Sequence, residues 1–180
     1  MREIFSQFVA YMIVYMEIAI ANIISLPDEY GVEHLTDFLL YLEETDDHPS
    51  RVKYQFIMQA WELLAYVKKE QLPTAGNPLY ESFNISVDGI VYEHRLAYVG
   101  YLHKQPIYEL RISLEPFNWY FRATFFPAYH EGKLFYCFVF PFEKDPRSPV
   151  DPTDEFKELT YQVLMNLRSN RQKYEQFFRE

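Results

Sequence analysis

Residues 107–126 read IYELRISLEPFNWYFRATFF, and residues 133–140 read KLFYCFVF. Within them are three runs of β-branched and aromatic residues, 107–114, 118–126 and 133–140, a composition that favours strands. Turn residues separate the runs, with Pro116 between the first two and Gly132 before the third. The segment from Ile107 to Phe140 is therefore predicted to form the antiparallel sheet core of an α+β domain.

The first two runs carry polar residues at every second position. Side chains alternate across a strand, so each run places three of them on one face: Glu109, Arg111 and Ser113, then Tyr120, Arg122 and Thr124. If the two strands form a hairpin, Arg111 and Arg122 lie close together on this face. The alternative for Arg111 is an ion pair with a nearby carboxylate such as Glu109, because most strand arginines are solvated or paired.

Two helices are predicted before the sheet. Apolar residues at helical spacing, from Leu35 to Leu42, indicate a helix that starts near Val32, and a second stripe runs from Ile57 to Val67. The loop between them is expected at Thr45–Ser50, so the helices should pack as an antiparallel hairpin. Asp88-Gly89 then predicts a β-hairpin between residues 83–87 and 90–101.

The two ends of the chain are less regular. Asp151-Pro152 predicts the start of a last helix through Leu167, and residues 168–180 either prolong it or fray. The apolar stretch Phe8–Leu26 is predicted as a strand from about Ile13, with a buried helix as the alternative. Glu17 at its centre argues against a membrane span, and no signal-peptide pattern precedes it.

The overall charge argues against tight nucleic-acid binding by the protein as a whole. The chain has 180 residues, enough for one domain, and a net charge of -9. Residues 1–99 hold 6 Lys and Arg against 15 Asp and Glu, whereas residues 100–180 hold 11 of each. A local basic patch in the second half is compatible with these counts. The single cysteine, Cys137, excludes an internal disulfide and favours the cytoplasm.

Several short motifs, in order, resemble the RelE/HigB-like toxins, especially their phage-derived branch. The string 107–112 resembles the tyrosine-glutamate-leucine-arginine strand of that family, and 120–122 resembles its second arginine strand. A glycine turn with an apolar strand (132–142) and a lysine-bearing loop before the last helix follow in the same order. The resemblance covers 32–167, with an insertion at 84–104, and leaves 1–31 as an N-terminal strand or extension and 168–180 as a tail.

The resemblance implies a RelE/ParE-like fold, in which a helical hairpin packs on an antiparallel sheet with a C-terminal helix. It implies a toxin of a toxin–antitoxin system, a metal-independent endoribonuclease that cleaves messenger RNA, without a cofactor, and a helix-turn-helix antitoxin as partner. Cleavage by this route needs a base, a cation for the phosphorane and an acid. The candidate residues are Arg111, Arg122 and Tyr120 for catalysis, and Lys144, Arg147 and His130 for RNA binding.

Three departures from the family pattern keep two alternatives open. Glu143-Lys144 stands where related toxins have two basic residues, 84–104 is inserted, and the first half of the chain is acidic. One alternative is a non-catalytic homologue that binds a host protein. The other is self-inhibition, in which the acidic N-terminal region covers the basic face. The five histidines show no metal-ligand spacing.

Overall fold

The computed structural model describes residues 19–103 and 105–179, and this part of the chain confirms the α+β class. It contains one six-stranded sheet and four α-helices. The strands are β1 (Ala21–Ser25), β2 (Leu79–Val87), β3 (Ile90–Leu102), β4 (Ile107–Leu114), β5 (Trp119–His130) and β6 (Lys133–Glu143). The helices are α1 (His34–Thr45), α2 (His48–Ala65), α3 (Thr153–Ser169) and α4 (Arg171–Tyr174).

The sheet is mixed, which corrects the prediction of a purely antiparallel one. Its strand order is β1-β6-β5-β4-β3-β2, and every neighbouring pair is antiparallel except β1 and β6, which run parallel. The N-terminal strand begins at Ala21, and residues 13–18, where a strand was predicted, lie outside the described residues. A parallel pair joins segments that are far apart in the chain, so local sequence gives no signal for it.

The central hairpins follow their turn residues. The strand β4 has the predicted bounds, whereas β5 and β6 extend beyond theirs. Between β2 and β3, Asp88 and Gly89 have φ of 52° and 80°, the left-handed pair of a type I′ turn. Residues 84–104, predicted as an insertion, therefore supply the end of β2 and all of β3 and continue the same sheet.

A bulge in β3 changes which of its residues share a face. The register moves from Leu79 opposite Val99 to Tyr80 opposite Ala97, so Tyr98 is the extra residue on β3. The ring of Tyr98 is buried in the core. The bulge resets the two-residue alternation, and Ala97 comes to lie on the same face as Gly100.

The helical hairpin packs on one face of the sheet, as predicted, but its loop is shorter than the predicted Thr45–Ser50. The helix α2 already begins at His48, because Asp47 caps it: the Asp47 carboxylate accepts a 2.7 Å hydrogen bond from the backbone N–H of Ser50. Pro49 is tolerated in this first turn, where its missing N–H would have no helical partner. The first helix begins at His34 rather than at Val32.

The sheet curls around α2 so that both of its edge strands approach that helix. Ile23 of β1 and Ile85 of β2 line one cleft beside α2. The side-chain amide of Gln59 accepts a 3.1 Å hydrogen bond from the N–H of Asn84 and donates a 3.3 Å bond to its carbonyl. Gln59 thus bonds the backbone of β2 much as a neighbouring strand residue would.

The opposite face carries α3. The hydroxyls of Thr124 on β5 and Thr160 on α3 share a 2.5 Å hydrogen bond, and both residues are fully buried. The helix begins at Thr153 rather than at the predicted Asp151-Pro152. Asp151 still caps its first turn, since its carboxylate accepts hydrogen bonds from the Thr153 N–H at 3.0 Å and hydroxyl at 2.6 Å.

The C-terminal tail packs into the apolar core between α3 and the sheet. The prediction that the tail prolongs the last helix or frays is therefore wrong. After α3 the chain turns into α4 and a 3₁₀ turn, Glu175–Phe178. Tyr174 and Phe178 pack against α3 and the sheet. Aromatic rings at two positions of a short tail bury enough apolar surface to hold it in place.

Tyr174 provides a test of this packing. The side chain is fully buried and its hydroxyl has no hydrogen-bond partner among the described residues. Tyr174→Ala is expected to lower the free energy of unfolding by about 3–5 kcal/mol, the cost of removing a buried ring. Tyr174→Phe should be neutral or stabilising, because it removes an unsatisfied polar atom. Urea unfolding measures both, and a tail that frays would make Tyr174→Ala neutral.

Candidate functional site

An arginine groove lies on the sheet face that also carries α3. Its volume is about 780 Å³, and it crosses β3, β4 and β5. Its lining includes Arg95, Ala97, Arg111, Ser113, Glu115 and Arg122. The predicted arginine pair is confirmed, because Arg111 and Arg122 are direct cross-strand partners in the β4–β5 register. Three arginines against two carboxylates, Glu109 and Glu115, leave the groove with a net positive local charge.

Arg111 forms an ion pair with the buried carboxylate of Glu109, which was the alternative predicted for this residue. Its Nε and Nη2 both lie 2.6 Å from Oε1 of Glu109, two residues earlier on the same strand face. The Glu109 side chain is 5% exposed and the Arg111 side chain 30% exposed. The ion pair fixes the direction of Arg111 and leaves part of its guanidinium open to the groove.

Arg122 lies deeper and shares the same carboxylate. Its Nε is 4.0 Å from Oε2 of Glu109, and its side chain is 14% exposed. Burial lowers the pKa of Arg122 from its ordinary range, while the Glu109 carboxylate raises it and Arg111 lowers it further. Nη1 donates to the carbonyl of Phe121 at 2.7 Å and to the Ser113 hydroxyl at 3.4 Å. Two guanidinium groups around one carboxylate leave one net positive charge.

Gly100 makes room for the Arg111 guanidinium. It is the register partner of Glu109 on β3, and a Cβ placed on Gly100 would collide with the guanidinium of Arg111. The backbone of Gly100 is ordinary extended strand, so the missing side chain, and not an unusual φ, explains the glycine. The guanidinium therefore lies flat against β3, in a space that only glycine leaves empty.

The other candidates on β5 and in the loop after β6 do not line the groove, and the two cations among them are ion-paired. Tyr120 is half-buried on the same face as Arg122 and opposite Ser113. The Lys144 ammonium is 2.6 Å from Asp151, and exposed Arg147 pairs with Asp145 at 3.3 Å. Although partial burial would raise the pKa of Asp151, hydrogen bonds from Lys144 and Thr153 lower it to about 2.

His130 lies at the other end of β5 and is not brought together with the arginines. Eight residues separate it from Arg122, a distance of about 27 Å along a strand. Its Nδ1 is 2.9 Å from Arg171, and its ring stacks on Phe178 at 4.9 Å. With Glu131 and Glu175 it could offer three ligand atoms to a metal ion. The Arg171 guanidinium already places a positive charge beside His130, and its repulsion opposes the binding of a metal cation there.

Sequence reasoning missed Arg95 and Gly100. Strict alternation along β3 would put Arg95 and Gly100 on opposite faces of the sheet. The bulge at Tyr98 places them on the same face. A glycine inside a strand pattern was the available signal, since it marks a bulge or a close approach. Cys137 on β6 is fully buried, and burial raises the pKa of its thiol.

No protein-family model, curated protein or solved structure matches the sequence. Within the described residues, none of the helices has the length and apolar character needed to cross a membrane.

Gly100→Ala tests whether the glycine exists to accommodate Arg111. The new methyl group should displace the guanidinium and shift or broaden the Arg111 Nε–H signal in a ¹H–¹⁵N spectrum. The clash should also lower the free energy of unfolding. Alanine restricts the unfolded chain more than glycine does, which offsets about 0.5–1 kcal/mol of that loss. In an Arg111→Ala background the same substitution should no longer destabilise, because its clash partner is gone. Equal effects in both backgrounds would refute the link between the two residues.

The Lys144–Asp151 pair predicts a pH-dependent contribution to stability. The folded-state pKa of Asp151 is lowered to about 2 from its ordinary value of 3.8, so its stabilisation is present above 3.8 and is lost as pH falls toward 2. Asp151→Asn should therefore destabilise at neutral pH, and the difference from the native chain should shrink between about pH 4 and pH 2. Glu155→Gln, an exposed change in the same helical turn, is the control. A pH-independent effect of Asp151→Asn, measured by urea unfolding, would contradict this origin.

Proposed function

We propose that the arginine groove binds the phosphodiester backbone of RNA, and that the protein is an RNA endonuclease toxin of the RelE/HigB-like kind. The observation that carries the proposal is the pairing of Arg111 with Arg122 across β4 and β5 in an open groove. Planar guanidinium groups bind phosphate oxygens through two parallel hydrogen bonds. Together with the ordered motifs of the sequence, this pair favours a phosphate ligand over a neutral one.

The proposed chemistry assigns one task to the two arginines and another to Tyr120. In the proposed cleavage, the ribose 2′-hydroxyl gives its proton to a base as its oxygen attacks phosphorus, the bond to the 5′-oxygen breaks to leave a 2′,3′-cyclic phosphate, and the 5′-oxygen takes up a proton from an acid. Arg111 and Arg122 would stabilise the extra negative charge on the phosphorane. Tyr120, two residues before Arg122 on the same face, is the proposed group for proton transfer.

The buried position of Arg122 supports its part in this scheme. Charge stabilisation is strongest where water is excluded and where the cation is already oriented. Arg122 is held on Phe121 and Ser113, so it would meet the phosphorane with little rearrangement. Messenger RNA as the substrate would place the protein in the cytoplasm.

Induced expression in bacteria tests the proposal. The native chain is expected to arrest growth and to generate new transcripts with 5′-hydroxyl ends, mapped by end-specific RNA sequencing. Arg122→Lys keeps the charge beside Glu109 but loses the planar contact, so it should reduce cleavage by at least about tenfold, or 1.4 kcal/mol of transition-state stabilisation. Arg168→Gln, at the far end of α3, is the control for general charge loss. Normal growth without new RNA ends refutes the nuclease.

A second candidate function is a non-catalytic homologue that binds a host protein. The observation that favours it is the neutralisation of Lys144 by Asp151 and of Arg147 by Asp145, which leaves little free positive charge in the loop after β6. RNA binding gains affinity from each free cation that replaces a counterion. Recovery of one stoichiometric protein from host lysate, without RNA and with Arg122→Lys unaffected, would support this function against the nuclease.

Self-inhibition by the N-terminal region cannot be tested by deleting all of residues 1–26. The strand β1 and the fully buried Leu26 belong to the fold, and β1 lies at the sheet edge beyond β6, away from β3 and β4. Deletion through Leu26 would remove a strand as well as any inhibitor. A deletion that ends before Ala19 spares β1, and higher toxicity of that variant would support self-inhibition.

A further inference from the structure

We propose that the groove takes single-stranded RNA, with one unpaired base stacked on Tyr80 and the neighbouring phosphate held by Arg95 and Arg111. This inference rests on the proposed function and adds to it a stacking site for a base, Tyr80, and a further phosphate contact, Arg95. Both new residues come from the β2–β3 hairpin, within or next to the segment 84–104.

The ring of Tyr80 lies on the groove side of the sheet. Tyr80 on β2 is the register partner of Ala97 on β3, and Ala97 lines the groove. Directly opposite residues of an antiparallel pair project to the same face. Tyr80 is 55% exposed, so its ring is available as a flat apolar surface at the end of a row of cations.

Arg95 lies between this ring and the arginine pair. Its guanidinium carbon is 5.7 Å from the centroid of the Tyr80 ring, and it also lines the groove beside Arg111. Across residues 19–103 and 105–179, no carboxylate lies within ion-pair distance of Arg95. Unlike Arg111, it can turn toward a phosphate without breaking an ion pair, and it then leaves the face of the Tyr80 ring to a base.

Stacking on Tyr80 requires a base that is not already stacked in a duplex. In double-stranded RNA both faces of each base are covered, and proteins contact mainly sugars and phosphates. Single-strand binders combine a positive groove with aromatic side chains on which bases stack. Tyr80 next to Arg95 and Arg111 has this combination, so the groove should prefer a single strand over the duplex of the same sequence.

A fluorescence titration with the full chain tests the inference. The probe is a short oligoadenylate with one 2-aminopurine, whose methylated 2′-oxygens prevent cleavage. Binding to the native protein should quench the 2-aminopurine, and Tyr80→Ala should remove the quenching and weaken binding at least about fivefold. Tyr80→Phe keeps the ring and should retain both signals. The duplex formed with oligouridylate should bind without any effect of Tyr80→Ala.

Tyr129 supplies a matched control and a competing site. It is 51% exposed and lies under the Lys69 ammonium at 5.3 Å, at the other end of β5. Tyr129→Ala is expected to leave quenching and affinity unchanged. If Tyr129→Ala abolishes quenching and Tyr80→Ala does not, the base binds at the lysine-bearing end of the sheet and the inference is wrong.

Arg111→Lys separates failure of this inference from failure of the proposed function. Weaker binding in Arg111→Lys with native binding and quenching in Tyr80→Ala would overturn the stacking site and leave RNA binding in the groove intact. Absence of binding by the native protein would overturn both. Weaker binding in Arg95→Gln, Arg111→Lys and Tyr80→Ala together supports both.

Discussion

The shared carboxylate of Glu109 is the interaction on which the polar face depends. Arg111 and Arg122 are directly opposite each other on β4 and β5, and like charges in such positions destabilise a sheet. Glu109 relieves this repulsion by bonding Arg111 through one oxygen and lying 4.0 Å from Arg122 with the other. Its own register partner is Thr124, which fixes α3 through Thr160. The register that pairs the two arginines around this carboxylate therefore also sets the packing of α3.

This arrangement also explains how a groove can remain positive inside an acidic protein. A buried charge is tolerated when it is paired, and removal of one partner from such a pair is costly. Here two cations share a single anion, and Oε2 of Glu109 has no hydrogen bond among the described residues. The fold therefore tolerates the two arginines, although their positive charge is not fully neutralised. A phosphate in the groove would therefore neutralise the one positive charge that Glu109 leaves on the two arginines.

The sequence predicted the features that local patterns determine. Turn residues and two-residue alternation placed β4 and the Arg111–Arg122 pair, because the hairpin is short and each strand has one polar face. Pairing between distant segments was not predictable in this way, which is why β1 was not expected to run parallel to β6. The bulge at Tyr98 shifted Arg95 to the groove, and a single extra residue is invisible to a strict alternation. Tail packing was missed because four residues of helix carry no periodic signal.

The hydrogen bonds of Gln59 have a consequence for the behaviour of the protein in concentrated solution. An edge strand with free backbone groups is a template for strands of other molecules, which leads to aggregates and fibrils. At Asn84 in the second half of β2, both backbone groups are already occupied by the amide of Gln59. A helix side chain thus acts as a gatekeeper at this edge, and it does so without a proline or a lysine in the strand itself.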